Sequence, residues 1–146
     1  MSIKHKIILK YIKDLSVEIP DAESLLVARE RISQYKLNLD IKSKPLKNKM
    51  IEVFTKLTYT DKEESKKKAH FEMVYSTVVQ IEEENPKKDQ MEKFILCDLQ
   101  IDSYPKIQEA FVQILKQSGF DKIKMTGRID FLKLYQQKKK LEKILF

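Results

Sequence analysis

The sequence predicts an α+β fold, a four-stranded antiparallel sheet with helices packed on one face. Three observations carry this. Apolar residues alternate at period two in four successive runs between Leu9 and Glu82, the pattern of strands with one covered face. From Asn85 onward the apolar spacing changes to that of a helix. The links between the later strands are mostly short, which suits antiparallel neighbours.

The first run is Leu9 to Pro20, LKYIKDLSVEIP. Read at period two, Leu9, Tyr11, Leu15, Val17 and Ile19 share one face, and Lys10, Asp14, Ser16 and Glu18 the other. Ile12 is the apolar exception, and Pro20, lacking an N–H, ends the ladder. Asp21 to Ile32 reads either as about two helical turns capped by Asp21 or as an irregular crossover. Tyr35 to Ile41 alternates without error, and Lys42 to Lys49 (KSKPLKNK) follows as a charged connection. Met50 to Thr60 is the third strand, with Ile51, Val53, Thr55, Leu57 and Tyr59 against Glu52, Lys56 and Thr58. Asp61 to Lys68 is a polar hairpin connection. Ala69 to Glu82 is the fourth strand, with Phe71, Met73, Tyr75, Val79 and Ile81 on its apolar face and His70, Glu72, Ser76 and Gln80 on its polar one.

Asn85 is positioned to cap a helix with Pro86 at its first position, and Met91, Phe94, Ile95 and Leu99 repeat at helical spacing. Ser103-Tyr104-Pro105 is expected to restart a helix whose stripe is Ile107, Ala110, Phe111, Ile114 and Leu115, ended by Gly119. A short extended piece, Lys122 to Met125, leads to a turn at Gly127. Asp130 caps a last helix, lined by Phe131, Leu134, Tyr135, Leu141, Ile144 and Leu145 opposite Lys133, Gln136, Gln137, Lys140 and Lys143. No internal repeat or linker interrupts the chain, so residues 1–146 read as one domain.

Composition narrows the chemistry. Hydrophobic residues make up 42% and charged residues 35% of the 146, a globular balance. There is no apolar run long enough to span a bilayer and no signal-peptide cleavage pattern, and Cys97 is the sole cysteine, so a reducing cytoplasm is expected. His5, His70 and Cys97 match no metal-ligand spacing, and two glycines build no phosphate-cradling loop; no metal and no cofactor are expected. Asp14 and Glu18 lie on one strand roughly 13 Å apart at about 3.3 Å per residue, too far for paired-carboxylate hydrolysis. An enzyme is not expected. The net charge of +7 is carried by lysine, with arginine only at positions 29, 31 and 128, which suits a solvated surface better than sequence-specific nucleic-acid readout.

Several short motifs, in order along nearly the whole chain, resemble the SecB protein-export chaperones. Tyr11, Lys13, Asp14, Leu15, Ser16, Glu18 and Pro20 fit the family's opening strand. Gln90-Met91 and Tyr104-Pro105 stand where the family has a glutamine-methionine pair and an aromatic-proline pair. Phe120 and Asp130-Phe131-Leu132-Lys133-Leu134-Tyr135 fit the approach to its last helix.

The resemblance implies a sheet paired into an eight-stranded dimer and then a dimer of dimers. It also implies ATP-independent holding of unfolded preproteins in apolar grooves and their delivery to the SecA motor. The groove residues expected here are Phe94, Tyr104, Phe111, Leu134 and Tyr135. The acidic positions that would meet SecA are Asp14, Glu18 and Glu72. Three features depart from the family: its usual acidity is replaced by +7, its glycine-rich fourth-strand end reads Val74 to Val79, and its cysteine-proline reads Leu99-Gln100. Two other readings stay open: a SecB-like chaperone of a toxin–antitoxin system, with antitoxin-like clients, and a basic nucleic-acid-binding protein.

Overall fold

The structure is a computed structural model that describes residues 3–63, 68–125 and 128–145, with side chains through residue 140. The expected turn at Gly127, the middle of the Asp61 to Lys68 connection, and the side chains of Leu141, Lys143, Ile144 and Leu145 lie outside the described residues.

Four strands, β1 (His5–Glu18), β2 (Tyr35–Pro45), β3 (Met50–Asp61) and β4 (His70–Ile81), form one antiparallel sheet in the order β1-β4-β3-β2. After β1 the chain crosses to the opposite edge through α1 (Ala22–Glu30) and a short 3-10 turn, then returns strand by strand to pair with β1. Asp21 caps α1, its carboxylate accepting from the Ser24 N–H at 2.7 Å. Arg31 pins the crossover to the end of β3, with Nε and Nη2 donating to Asp61 at 2.7 and 3.2 Å. The guanidinium holds the Asp61 carboxyl below its ordinary range.

Residues opposite one another in a ladder point to the same side. On β2, β3 and β4 the odd-numbered residues therefore face the helices, as period two predicts; Val53, Leu57, Phe71, Met73 and Val79 are fully buried there. The first strand differs. Its pairing with β4 slips between Ile7 and Leu9 and again between Ile12 and Asp14. Each slip is a bulge that inverts the phase. Ile7, Ile12, Leu15 and Val17 thus lie opposite Val79, Tyr75, Met73 and Phe71 on the helix side, whereas Leu9 and Tyr11 lie opposite Val78 and Ser76 on the open side. The single apolar face expected from Leu9 to Ile19 is divided between both sides of the sheet, and Ile12 is no exception once the bulge is counted.

The second half is helical. Lys88–Lys93 (α2) runs through a π-helical segment, Phe94–Asp98, into Leu99–Gln117 (α3) without a break. Two expectations give way here. Asn85 adopts φ +48° instead of capping, and the Gln90 side chain accepts from the Lys87 N–H at 2.8 Å at the helix start. Pro105 lies inside α3 and does not begin a new helix. Gly119, at φ +104°, ends α3: the Gly119 and Phe120 N–H groups return to Lys116 and Leu115 carbonyls at 3.4 and 3.0 Å. A Cβ at Gly119 would meet Leu25 Cδ2 at 2.7 Å, so glycine also permits α1 to pack closely. The last helix, α4 (Phe131–Leu145), is capped by Asp130, whose Oδ1 accepts from the Lys133 N–H at 3.0 Å.

The core lies between the sheet and these helices. Its larger cluster joins Leu57, Tyr59, Phe71 and Met73 to Ala28, Tyr104, Ile107, Phe111 and Phe131; a second joins Val53, Val79 and Ile81 to Phe94 and Leu99. Cys97 is buried in the larger cluster, and desolvation pushes its thiol up, so it packs as a small apolar group.

Candidate functional site

Two surfaces bring together the residues singled out by sequence. One is a groove of about 820 Å3 along α3, lined on the helix by Ile101, Tyr104, Pro105 and Val112 and closed by Ile123, Met125, Ile129 and Phe131, with Gln100, Gln108, Glu109, Gln113, Lys116, Lys124 and Arg128 also in its lining. Gln108 Nε2 donates to the Met125 carbonyl at 2.9 Å and holds the far wall against α3. Tyr104 and Phe131 meet edge to face with centroids 5.3 Å apart and form its floor. The Tyr104 hydroxyl is buried with no hydrogen-bond partner among the described residues, and desolvation pushes it up to about 12. Beside it, Gln100 Nε2 donates to Thr55 Oγ1 at 3.0 Å.

The five expected groove residues separate. Phe94 and Phe111 are fully buried, Phe94 against the His5 ring and Phe111 against Tyr59, so in this chain they are core and offer no surface. The cause is helical phase: these aromatics point at the sheet. Tyr104 lines the groove from beneath, while Leu134 is 50% exposed and Tyr135 half-buried on α4, with Lys139 Nζ 5.8 Å from the Tyr135 ring. Sequence reasoning missed Ile101 (55% exposed), Val112 and the wall residues Ile123, Met125 and Ile129. The signal was available at Ile101, an apolar residue outside the stripe of Ile107, Phe111 and Leu115.

The second surface is the open side of the sheet. Asp14, Ser16 and Glu18 on β1 lie opposite Val74, Glu72 and His70 on β4, so Asp14, Glu18 and Glu72 share this side. Lys10, expected beside them, pairs with Thr77 on the helix side. Glu72 is engaged by Lys56 Nζ at 3.4 Å. A further carboxylate, Glu52, lies nearby on β3. It accepts from the Tyr11 hydroxyl and from Ser76 Oγ at 2.5 Å, and these hydrogen bonds hold its carboxyl below the usual range. Among the described residues no cluster of three or more His, Cys, Asp or Glu side chains is arranged to hold a metal. No helix among them is long and apolar enough to cross a membrane.

A sheet with one open, carboxylate-bearing side and a groove of mixed apolar and polar lining on its helical layer has the parts of a binding protein. A family model described as preprotein translocase subunit SecB matches residues 2–142. The chain belongs to the SecB family. It is 45% identical over 138 residues to a SecB protein-export relative from Pelagibacter ubique, covering 94% of this chain and 99% of that one. A protein-export protein SecB of Rickettsia bellii is 32% identical over 130 residues, 88% of this chain and 84% of the relative. Among solved structures, a SecB-like chaperone of Mycobacterium tuberculosis in complex with an antitoxin peptide aligns with a TM-score of 0.60 at 14% identity, over 86% of each chain. That likeness concerns the fold. As a SecB-family member the protein is a protein-export chaperone, and the family is one of chaperones rather than enzymes.

Proposed function

We propose that this SecB-family chain is an ATP-independent holdase that keeps preproteins unfolded in the α3 groove and works as an oligomer, a dimer of dimers. The observation that carries the reading is the open groove of mixed apolar and polar lining on a chain of this family. Leu134 and Tyr135 lie about one helical turn along α4 from Phe131 and extend its apolar surface. Each buried client side chain contributes on the order of 1.5–3 kcal/mol. Several such contacts along one flexible client add through effective concentration, which gives tight binding without sequence specificity.

Oligomerisation is supported by β1. Ile8, Leu9, Tyr11, Ile12, Leu15 and Val17 are between 38% and 47% exposed on an edge strand. A second copy paired along this edge would cover them and join two sheets into one.

The carboxylates Asp14, Glu18 and Glu72 are the proposed contact for SecA. Exposed pairs each contribute about 0–1 kcal/mol, so the set acts mainly through on-rate and orientation. The test combines two variants. Ile101→Ser with Leu134→Ser should weaken suppression of client aggregation, without nucleotide, while melting stays unchanged. Reversing Asp14, Glu18 and Glu72 to lysine should leave holding intact and abolish binding to the cognate SecA tail. Unchanged holding by the first variant would place the client elsewhere. No binding of the wild type to that tail at low salt would remove SecA from the reading.

A further inference from the structure

The edge opposite β1 carries a feature that client holding does not use. Residues 42–49, KSKPLKNK, hold four lysines and no carboxylate. They form the end of β2 and the turn into β3, and all four lysines are exposed. Lys42 lies 3.9 Å from Asp40, a loose pair between side chains 79% and 59% exposed. Lys44 faces Glu52 across the ladder and is attracted to it, while the hydrogen bonds of that carboxylate go to Tyr11 and Ser76. Among the described residues, no ion pair involves Lys47 or Lys49.

The backbone gives an independent observation. Asn48 and Lys49 both adopt left-handed φ, +61° and +58°, in a two-residue turn closed by the Met50 N–H on the Lys47 carbonyl at 3.3 Å, with the Leu46 N–H donating to the Met50 carbonyl at 2.8 Å just outside it. Such a turn favours glycine at its second position. Lysine stands there against that preference. Between Lys44 and Lys47 the chain places Pro45, exposed, and Leu46, half-buried, so the tip has an apolar point set among ammonium groups.

We propose that the Lys42–Lys49 tip docks the chaperone on an anionic lipid surface, its lysines at the headgroups and Pro45-Leu46 at the interface. The chemistry favours lipid over other polyanions. The patch has no arginine fork for the bidentate readout that nucleic-acid recognition leans on, and its four lysines are gathered at one hairpin tip instead of spread along a track for a strand. None of the four lysines lines the groove, so nothing there orients an acidic peptide. Hydrated point charges on flexible stems suit a diffuse negative plane. This edge is independent of the client groove and of the carboxylates proposed for SecA.

Co-sedimentation of the full chain with vesicles of phosphatidylglycerol and phosphatidylethanolamine at physiological salt tests the proposal. The wild type should bind these vesicles and not phosphatidylcholine vesicles. Each lysine near such a surface contributes about fivefold in partitioning, so K42Q/K44Q/K47Q/K49Q should lose roughly a hundredfold or more. A variant with the same charge change elsewhere, K88Q/K106Q/K133Q/K140Q, should keep most binding. Lys49→Gly should hold or raise the melting temperature while weakening vesicle binding several-fold. Equal losses in the two quadruple variants would mean that net charge alone acts and would overturn the proposal. So would absent wild-type binding, or tighter binding of single-stranded RNA through the same lysines.

Discussion

The two edges of the sheet solve the same problem in opposite ways. Both β1 and β2 present an unpaired row of backbone groups, a template for another strand. On β2 the side chains that flank this row alternate Lys36, Asn38, Asp40, Lys42 and Lys44 on the open side, and the strand ends at Pro45, a residue tolerated at edges and hostile to further pairing. On β1 the flanking residues are mostly apolar on both sides of the sheet, because the two bulges send Leu9 and Tyr11 one way and Ile12, Leu15 and Val17 the other. Edge exposure is therefore not uniform: the β2 edge carries charges and a proline that discourage strand pairing, and the β1 edge carries apolar side chains instead. A two-sided apolar edge also fits another sheet better than a narrow ligand, since only a matching strand covers both sides at once.

The largest expected effect comes from breaking that difference. Leu9→Lys with Leu15→Lys places one ammonium on each side of β1, giving it the guard that β2 already has. Light scattering after size exclusion should show the wild type as an oligomer and this variant as a monomer near 17.3 kDa. Lys36→Gln with Lys42→Gln on β2 should leave the oligomer mass unchanged. If the wild type itself runs as a concentration-independent monomer, the apolar edge is not an assembly surface.

A smaller effect belongs to Glu52, which ties the edge strand inward through Tyr11 and β4 through Ser76. Its folded carboxyl lies below its ordinary value because both hydroxyls donate to the ionised form. The sign follows directly. A depressed carboxyl stabilises the fold above its unfolded pKa, and that contribution disappears as pH falls through the lower, folded value. Glu52→Gln should therefore melt below the wild type at neutral pH, with the gap closing in acid. A gap independent of pH would mean that the loss is one of packing rather than charge.

How far the sequence could be read follows from these same residues. Strand β2 alternates without error, and β3 and β4 keep their odd-numbered apolar residues in phase despite Phe54, Val74 and Val78 on the other side, so their inward faces and the order of elements were legible from alternation. In β1 the alternation looked regular because Leu9 and Leu15 are an even number apart. A bulge adds a residue without changing composition, and only the pairing with Val78 and Met73 reveals it. In the helices, Asp21, Asp130 and Gly119 announced their caps chemically, but Pro105 suggested a break that the continuous α2–α3 run does not make. For the groove, aromatic type pointed to Phe94 and Phe111, while accessibility was decided by which helical face met the sheet. The wall residues Ile123, Met125 and Ile129 have no periodic signal and are placed by tertiary packing.

The smallest effect tests where the two edges meet. Glu72, one of the three carboxylates proposed for SecA, is 3.4 Å from Lys56, and Lys56 in turn lies opposite Asp40 on β2. Asp14 makes no such cross-strand pair among the described ion pairs; its Oδ1 accepts only the neighbouring Leu15 N–H at 2.9 Å. The three acidic positions are therefore unequal, although alternation alone makes them equivalent. A basic partner peptide must compete with Lys56 for Glu72 and meets Asp14 and Glu18 without that competition. Exposed pairs contribute about 0–1 kcal/mol each, so the difference is at most severalfold in affinity. Glu72→Ala should weaken binding of a SecA tail less than Asp14→Ala does, and Lys56→Ala should strengthen it by freeing Glu72. Titration calorimetry at low salt resolves the order, and raising the salt should compress all three effects together. If Glu72→Ala costs the most, Lys56 positions that carboxylate rather than screening it, and the open side is a preformed charge pair instead of an acidic island.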